Sequence, residues 1–140
     1  MAEIINQQRK INLETKPFQD FAEKVLQQIA KDKTATIAFV SDRKMGELNR
    51  DFRGKNSTTD VLSFPFEVNE FDTDEDFLGD IAISLEQAQR QATENNLTLE
   101  LEVKQLILHG VLHLLGYDHE TDHGEMNKLE LQLRVELGIQ

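Results

Sequence analysis

The sequence predicts a single compact α+β domain, with about four short strands packed with several helices around one buried central helix. Three observations predict it. Thr34–Val40, Val61–Phe66 and Leu78–Ser84 are short runs rich in β-branched and aromatic residues, and read as strands. Between them, apolar residues recur at helical spacing. From Leu106 to Leu115 the only polar side chains are His109 and His113. A helix apolar nearly all round belongs inside a core. At 140 residues the chain fits one core, so residues 1–140 are read as one domain.

Glu3–Gln8 opens the chain as a weak strand. Pro17 suits the first turn of a helix. Phe18, Phe21, Ala22, Val25, Leu26 and Ile29 carry that helix to about residue 31. Thr34–Val40 is the second strand. Ser41 or Asp42 then caps a helix bearing Met45, Leu48, Asn49 and Phe52, which Gly54 ends. Lys55–Asp60 is a polar loop. Pro65 puts the Val61–Phe66 strand near a sheet edge. Glu67–Phe77 holds six carboxylates in eleven residues. The simplest link from this strand to Leu78–Ser84 is an antiparallel hairpin with that acidic stretch as its loop. Ser84 with Gln87 makes a capping box for a helix that reaches about Asn95, and Thr98 caps the central helix. Asp122 with Glu125 is expected to cap a last helix carrying Met126, Leu129, Leu133 and Leu137 and stopping at Gly138. Strand order is not readable from these patterns.

Composition narrows the function. There is no cysteine, which excludes disulfides and thiolate metal sites. The opening MAEIINQQRK lacks the apolar core of a signal peptide and no later run approaches a membrane span, so a cytoplasmic protein with no membrane contact is expected. A net charge of −11 argues against coating nucleic acid by general electrostatics. The charge is uneven, however. Arg43, Lys44, Arg50, Arg53 and Lys55 outnumber Glu47 and Asp51 within Arg43–Lys55. Such a basic patch on an acidic body suits one phosphate-bearing substrate.

The chemistry centres on His109-Gly-Val-Leu-His113-Leu-Leu-Gly-Tyr-Asp-His119. His109 and His113 are four apart, so on a helix their Cβ atoms stack about 5–6 Å apart on one face. A lone buried histidine is usually a hydrogen-bonded core residue. Two on one face of an apolar helix would each need a separate partner, and one shared cation satisfies both. Gly116 can turn the chain so that His119 folds back as a third ligand. Three nitrogens without sulfur suit Zn2+ above other divalent metals, and leave a fourth position open for catalysis. His123 reads as a surface residue. Asp118 has two readings of equal weight: a turn residue, or an acceptor that orients an imidazole or assists proton transfer.

Two competing motifs fail on inspection. The zincin pattern H-E-x-x-H places its general base where this chain has Gly110. That argues against a peptidase. Asp72-Thr-Asp74-Glu-Asp76 opens like a calcium loop, but Phe77 and Ile83 stand where its glycine and bidentate glutamate belong. A solvated acidic loop is the better reading. Arg53 suits a helix C-terminus on dipole grounds, and with Lys55 it equally suits a phosphate.

The histidine stretch resembles the signature of the YbeY family, bacterial metal-dependent endoribonucleases of ribosomal RNA maturation. Two further blocks agree, in family order: Leu48-Asn-Arg-Asp-Phe52-Arg53-Gly-Lys55 followed by Thr59-Asp60-Val-Leu-Ser63-Phe64-Pro65, and Leu78-Gly79-Asp80-Ile81. The resemblance spans essentially the whole chain. It implies a small mixed sheet, zinc on His109, His113 and His119, and an essential arginine at Arg53. It also implies cleavage of single-stranded RNA, 3′-end processing of small-subunit ribosomal RNA, and ribosome quality control. The expected partners are therefore RNA and the ribosome or its associated proteins, with no DNA. Arg50 and Lys55 are expected to position the RNA backbone. One departure is visible: the loop before Thr59 usually carries a proline, and here reads Asn56-Ser57-Thr58, which predicts a looser loop. Two other readings stand beside this one, a metal hydrolase of another class such as a peptidase, and an assembly factor whose metal is structural.

Overall fold

The computed structural model describes residues 1–66, 76–117 and 123–140. Most of the acidic stretch, Asp118, His119 and the expected cap at Asp122 lie outside the described residues. The elements run β1 (Ala2–Asn6), α1 (Lys16–Ile29), β2 (Thr34–Val40), α2 (Asp42–Arg53), β3 (Val61–Pro65), β4 (Phe77–Ser84), α3 (Leu85–Glu94), α4 (Leu99–Leu114) and α5 (Glu125–Leu137). The sheet order is β1-β2-β4-β3. β1, β2 and β4 run parallel, and β3 pairs antiparallel with β4 at the edge. The sheet is thus mixed, as the resemblance implies, and β3–β4 is the hairpin expected from the sequence.

Local chemistry sets most boundaries. Ser41, Ser84 and Thr98 accept hydrogen bonds from the backbone N–H three residues on, capping α2, α3 and α4. Gly54 ends α2 at φ 67°, a left-handed position that glycine adopts without steric cost. α5 departs from expectation. It begins at Glu125 with Gly124 at φ 101° in the N-cap position and no side-chain cap. Glu125 instead accepts from the His123 N–H at 2.5 Å. The acid expected three residues into a capping box is therefore the first helical residue. β1 also stops short, at Asn6, because the Gln8 amide turns back to Asn6 Oδ1 and to the Ile11 backbone.

The two sheet faces are covered unequally. Ile37, Phe39, Ile81 and Ile83 enter the main core with Val25, Ile107, Leu108 and Leu112 of α1 and α4. α4 packs against β3, β4 and helices α1, α3 and α5, the central place its composition predicts. The other face carries a smaller cluster, Val40, Met45, Leu62 and Ala82, under α2. Among the described residues no helix is long and apolar enough to cross a membrane.

Gly110 shows why α4 can lie so close to the sheet. A Cβ there would stand 2.9 Å from Ile81 Cγ2 and 3.0 Å from its Cδ1, and Ile81 is itself enclosed. Overpacking of this kind costs about 1–3 kcal/mol, against about 1 kcal/mol of helix propensity gained by removing a glycine. Gly110→Ala is therefore expected to lower stability by up to about 2 kcal/mol. An earlier urea midpoint with an unchanged slope is the signature; a later midpoint would refute the close-packing account.

Candidate metal and phosphate site

α4 presents its two histidines over its last turns, and their rings converge. His109 Nε2 and His113 Nε2 lie 3.0 Å apart, with ring centroids separated by 4.6 Å. The other side of His109 is held by α5. Its Nδ1 is 2.6 Å from Glu130 Oε1, and Arg134 Nη2 donates to Glu130 Oε2 at 2.6 Å. Burial alone would raise the Glu130 carboxyl pKa. The His109 hydrogen bond and the Arg134 guanidinium more than offset this and hold it below its ordinary value. In a neutral imidazole, an ionised acceptor at Nδ1 favours the tautomer with its proton there and the lone pair on Nε2.

The cleft above these rings has a volume of about 480 Å³. His109 and His113 form its floor, Gly116 and Tyr117 one rim, and Thr59–Val61, Ser63 and Pro65 the wall along β3. Arg53 completes it from the end of α2. Ser63 ties wall to floor by donating to the Gly110 carbonyl at 3.1 Å. The segment from Arg53 to β3 is pinned from outside. Asn49 donates to the Ser57 carbonyl at 2.7 Å, and Thr58 Oγ1 to Asp42 Oδ1 at 2.6 Å. Asp42 also receives Arg90 at 3.0 Å and Ser84 at 3.3 Å. Burial works to raise the Asp42 pKa, and these partners together hold it below its ordinary value. Hydrogen bonds thus hold the Asn56-Ser57-Thr58 loop at Ser57 and Thr58.

The structure brings Arg53, His109 and His113 to one cleft. Arg50 and Lys55 do not line it; both are exposed, and Arg50 pairs with Asp51 at 3.2 Å. His123 is exposed, matching its surface reading. Among the described residues no group of three or more possible ligands forms, and Asp118 and His119 fall outside them. Sequence reasoning missed Glu130. Its signal was present: Met126, Glu130, Leu133 and Leu137 are the buried stripe of α5, and a carboxylate on such a stripe needs a partner.

Behind the site, Glu102 is 6% exposed. The Gln91 amide, oriented to donate, reaches Glu102 Oε1 at 2.9 Å and Asp60 Oδ2 at 3.2 Å. Burial pushes the Glu102 carboxyl above its ordinary 4.5, Asp60 adds to this, and Arg134 opposes it. A raised folded-state value makes ionisation costly: the penalty is absent below the unfolded pKa, grows as pH rises toward the folded value, and is full above it. Glu102→Gln is expected to be more stable than the native chain at neutral pH, with the advantage vanishing below about pH 4. Urea unfolding at both pH values checks this; an advantage that persists in acid would not be electrostatic.

The family model for endoribonuclease YbeY matches residues 3–138. The chain belongs to the YbeY family. Relatives described as endoribonuclease YbeY include that of Solibacter usitatus, 44% identical over 85% of this chain and 76% of that protein. The Thermodesulfovibrio yellowstonii protein is 39% identical over 91% and 89%, and the Alkaliphilus metalliredigens protein 37% over 97% and 94%. A Thermotoga maritima protein solved in solution superposes with a TM-score of 0.69 at 30% identity, covering 98% of this chain and 89% of that one. The YbeY resemblance read from the three motif blocks is thus matched along almost the whole chain, and the α+β fold with it.

Proposed function

We propose that this YbeY-family chain is a zinc-dependent, single-strand-specific endoribonuclease. It matures the 3′ end of small-subunit ribosomal RNA and takes part in ribosome quality control, in the cytoplasm and in contact with the ribosome or its associated proteins. The observation that carries the reading is the one cleft lined by Arg53 and by His109 and His113, whose Nε2 atoms converge. The donor set fits zinc. Two ligands at 2.0–2.1 Å on a tetrahedral ion stand roughly 3.3 Å apart, close to the 3.0 Å between these nitrogens. His109, His113 and His119 would hold the ion, which supplies Lewis acidity at a phosphoryl oxygen and activation of water.

The chain's own residues supply the rest. Arg53 places a permanently charged, forked donor beside the phosphate and meets charge that builds on its oxygens. Glu130 keeps the His109 proton on Nδ1. Thr59 and Ser63, whose protons go to Asp60 Oδ1 and the Gly110 carbonyl, offer hydroxyl oxygens along the wall that can accept from a ribose hydroxyl. Asp118 would orient an imidazole or take a proton, and Arg50 and Lys55 would attract the RNA backbone from outside the cleft. The attacking group is either water or the ribose 2′-OH. A peptidase is disfavoured on steric as well as chemical grounds, since position 110 faces Ile81 and has no room for a glutamate.

The test uses a labelled single-stranded RNA with the native chain, the chelated chain, the zinc-restored chain and His113→Ala. Cleavage should follow zinc and vanish with His113→Ala. Cleavage that survives both treatments would come from a contaminant and sink the proposal. A 2′,3′-cyclic phosphate end identifies the 2′-OH as nucleophile; a 3′-OH end opposite a 5′-phosphate identifies water.

A further inference from the structure

Phe52 is the most exposed aromatic side chain among the described residues, at 67%. Its position explains why. Met45, Asn49 and Phe52 form the sheet-facing stripe of α2; Met45 and Asn49 are buried, and the stripe then runs off the sheet at its edge strand, β3. Phe52 touches the ring of Phe64 edge-on, with centroids 5.3 Å apart and planes at 71°. That contact fixes the ring while leaving most of its surface in water.

The surroundings say what such a ring would meet. The next residue is Arg53, a wall of the cleft. Phe64, on which Phe52 rests, alternates along β3 with Ser63 and Pro65, which line the cleft from the opposite face of the strand. The ring therefore lies across the edge strand β3 from the cleft, beside the far face of its wall, and Phe52 is the sequence neighbour of Arg53. It also lies within the basic segment Arg43–Lys55 of an otherwise acidic chain. Cationic groups that track a backbone beside an aromatic face that takes a base are the two components of single-strand recognition. Within a duplex the bases are stacked on one another, so only its terminal pairs offer such a ring a face.

We propose that Phe52 is a base-stacking platform for single-stranded RNA, receiving the unpaired base next to the phosphate at Arg53. This rests on the nuclease reading above and extends it to how single strands are selected. Phe52 acts as a substrate-binding residue outside the cleft, sequence-tolerant because every base has a π face.

The chain contains no tryptophan, so Phe52→Trp creates a single fluorescent reporter at the site. It is placed in a His113→Ala background to keep RNA intact. The probes are oligoadenylate, an abasic ribose-phosphate of equal length, and a blunt RNA duplex. Binding is followed independently by anisotropy of end-labelled probe. Oligoadenylate should quench the tryptophan; the abasic strand should not, and the duplex, with only its terminal pairs free, should quench far less. In the same background Phe52→Ala should bind oligoadenylate roughly 5- to 150-fold more weakly. Phe52→Leu, which still covers Phe64, should bind as weakly as the alanine variant. Binding without quenching, or full affinity restored by leucine, overturns the platform; the latter would mark Phe52 as apolar cover alone. Quenching together with a native chain that cleaves nothing overturns the nuclease reading and leaves the platform standing. No binding of oligoadenylate overturns the platform, and the nuclease reading falls with it only if the native chain also cleaves no RNA. Quenching by a purified ribosomal protein with none by oligoadenylate would show the ring to be a protein contact and overturn it too.

Discussion

Arg53→Ala is expected to slow RNA cleavage about 100- to 1,000-fold while leaving the fold and zinc content intact. Arg53 is exposed at the last position of α2. Its structural contribution is therefore confined to a favourable charge at a helix C-terminus, about 0.3–1 kcal/mol. A donor aimed at charge that develops only in the transition state contributes about 3–4 kcal/mol to the rate. The catalytic effect should exceed the structural one several-fold, so activity and melting temperature separate cleanly in this variant. Arg53→Lys keeps the charge but loses the planar fork, and should recover only part of the rate. Single-turnover cleavage beside thermal unfolding decides. An unchanged rate would favour the assembly-factor reading. A collapse in stability would make Arg53 structural.

Features that depend on local chemistry were legible in the sequence. β2 falls at Thr34–Val40, and Ser41, Ser84, Thr98 and Gly54 do what their residue types predict, because a cap needs only its own neighbours. The apolar Leu106–Leu115 run located the central helix for the same reason. The parallel pairing of β2 with β4 was not legible, since it depends on how α2 and β3 pass across the sheet. Nor was the anchoring of the loop before Thr59. Asp42 looked like a cap alternative, yet it holds Thr58, Ser84 and Arg90 at once, contacts 16 to 48 residues away. Of the site, spacing exposed the His109–His113 pair. The opposing Arg53 came from resemblance, because no periodicity links residues so far apart in sequence.

If His109 holds zinc as proposed, Glu130→Ala is expected to weaken zinc binding about 10- to 100-fold, the usual effect of removing a carboxylate behind a metal-binding histidine. The cause is specific. Without an acceptor at Nδ1, the His109 proton can move to Nε2, the atom that must present a lone pair beside His113. Stability should fall too, because Arg134 loses its 2.6 Å partner. Stranding a fully buried charge costs about 3–5 kcal/mol, but the Arg134 side chain is 27% exposed, so water will recover part of that. Glu130→Gln separates the two effects. Its amide oxygen can still accept from Nδ1–H, so zinc affinity should fall less than in the alanine variant, while the charge on Arg134 is left equally unbalanced. Competition against a chromophoric chelator reads the affinity. Imidazole 15N shifts of the metal-free chain read the tautomer, and denaturant unfolding reads the cost to Arg134. If alanine and native chains bind zinc alike with His109 still protonated at Nδ1, Glu130 has no part in preparing the site. Its carboxylate would then serve only as a buried partner for Arg134.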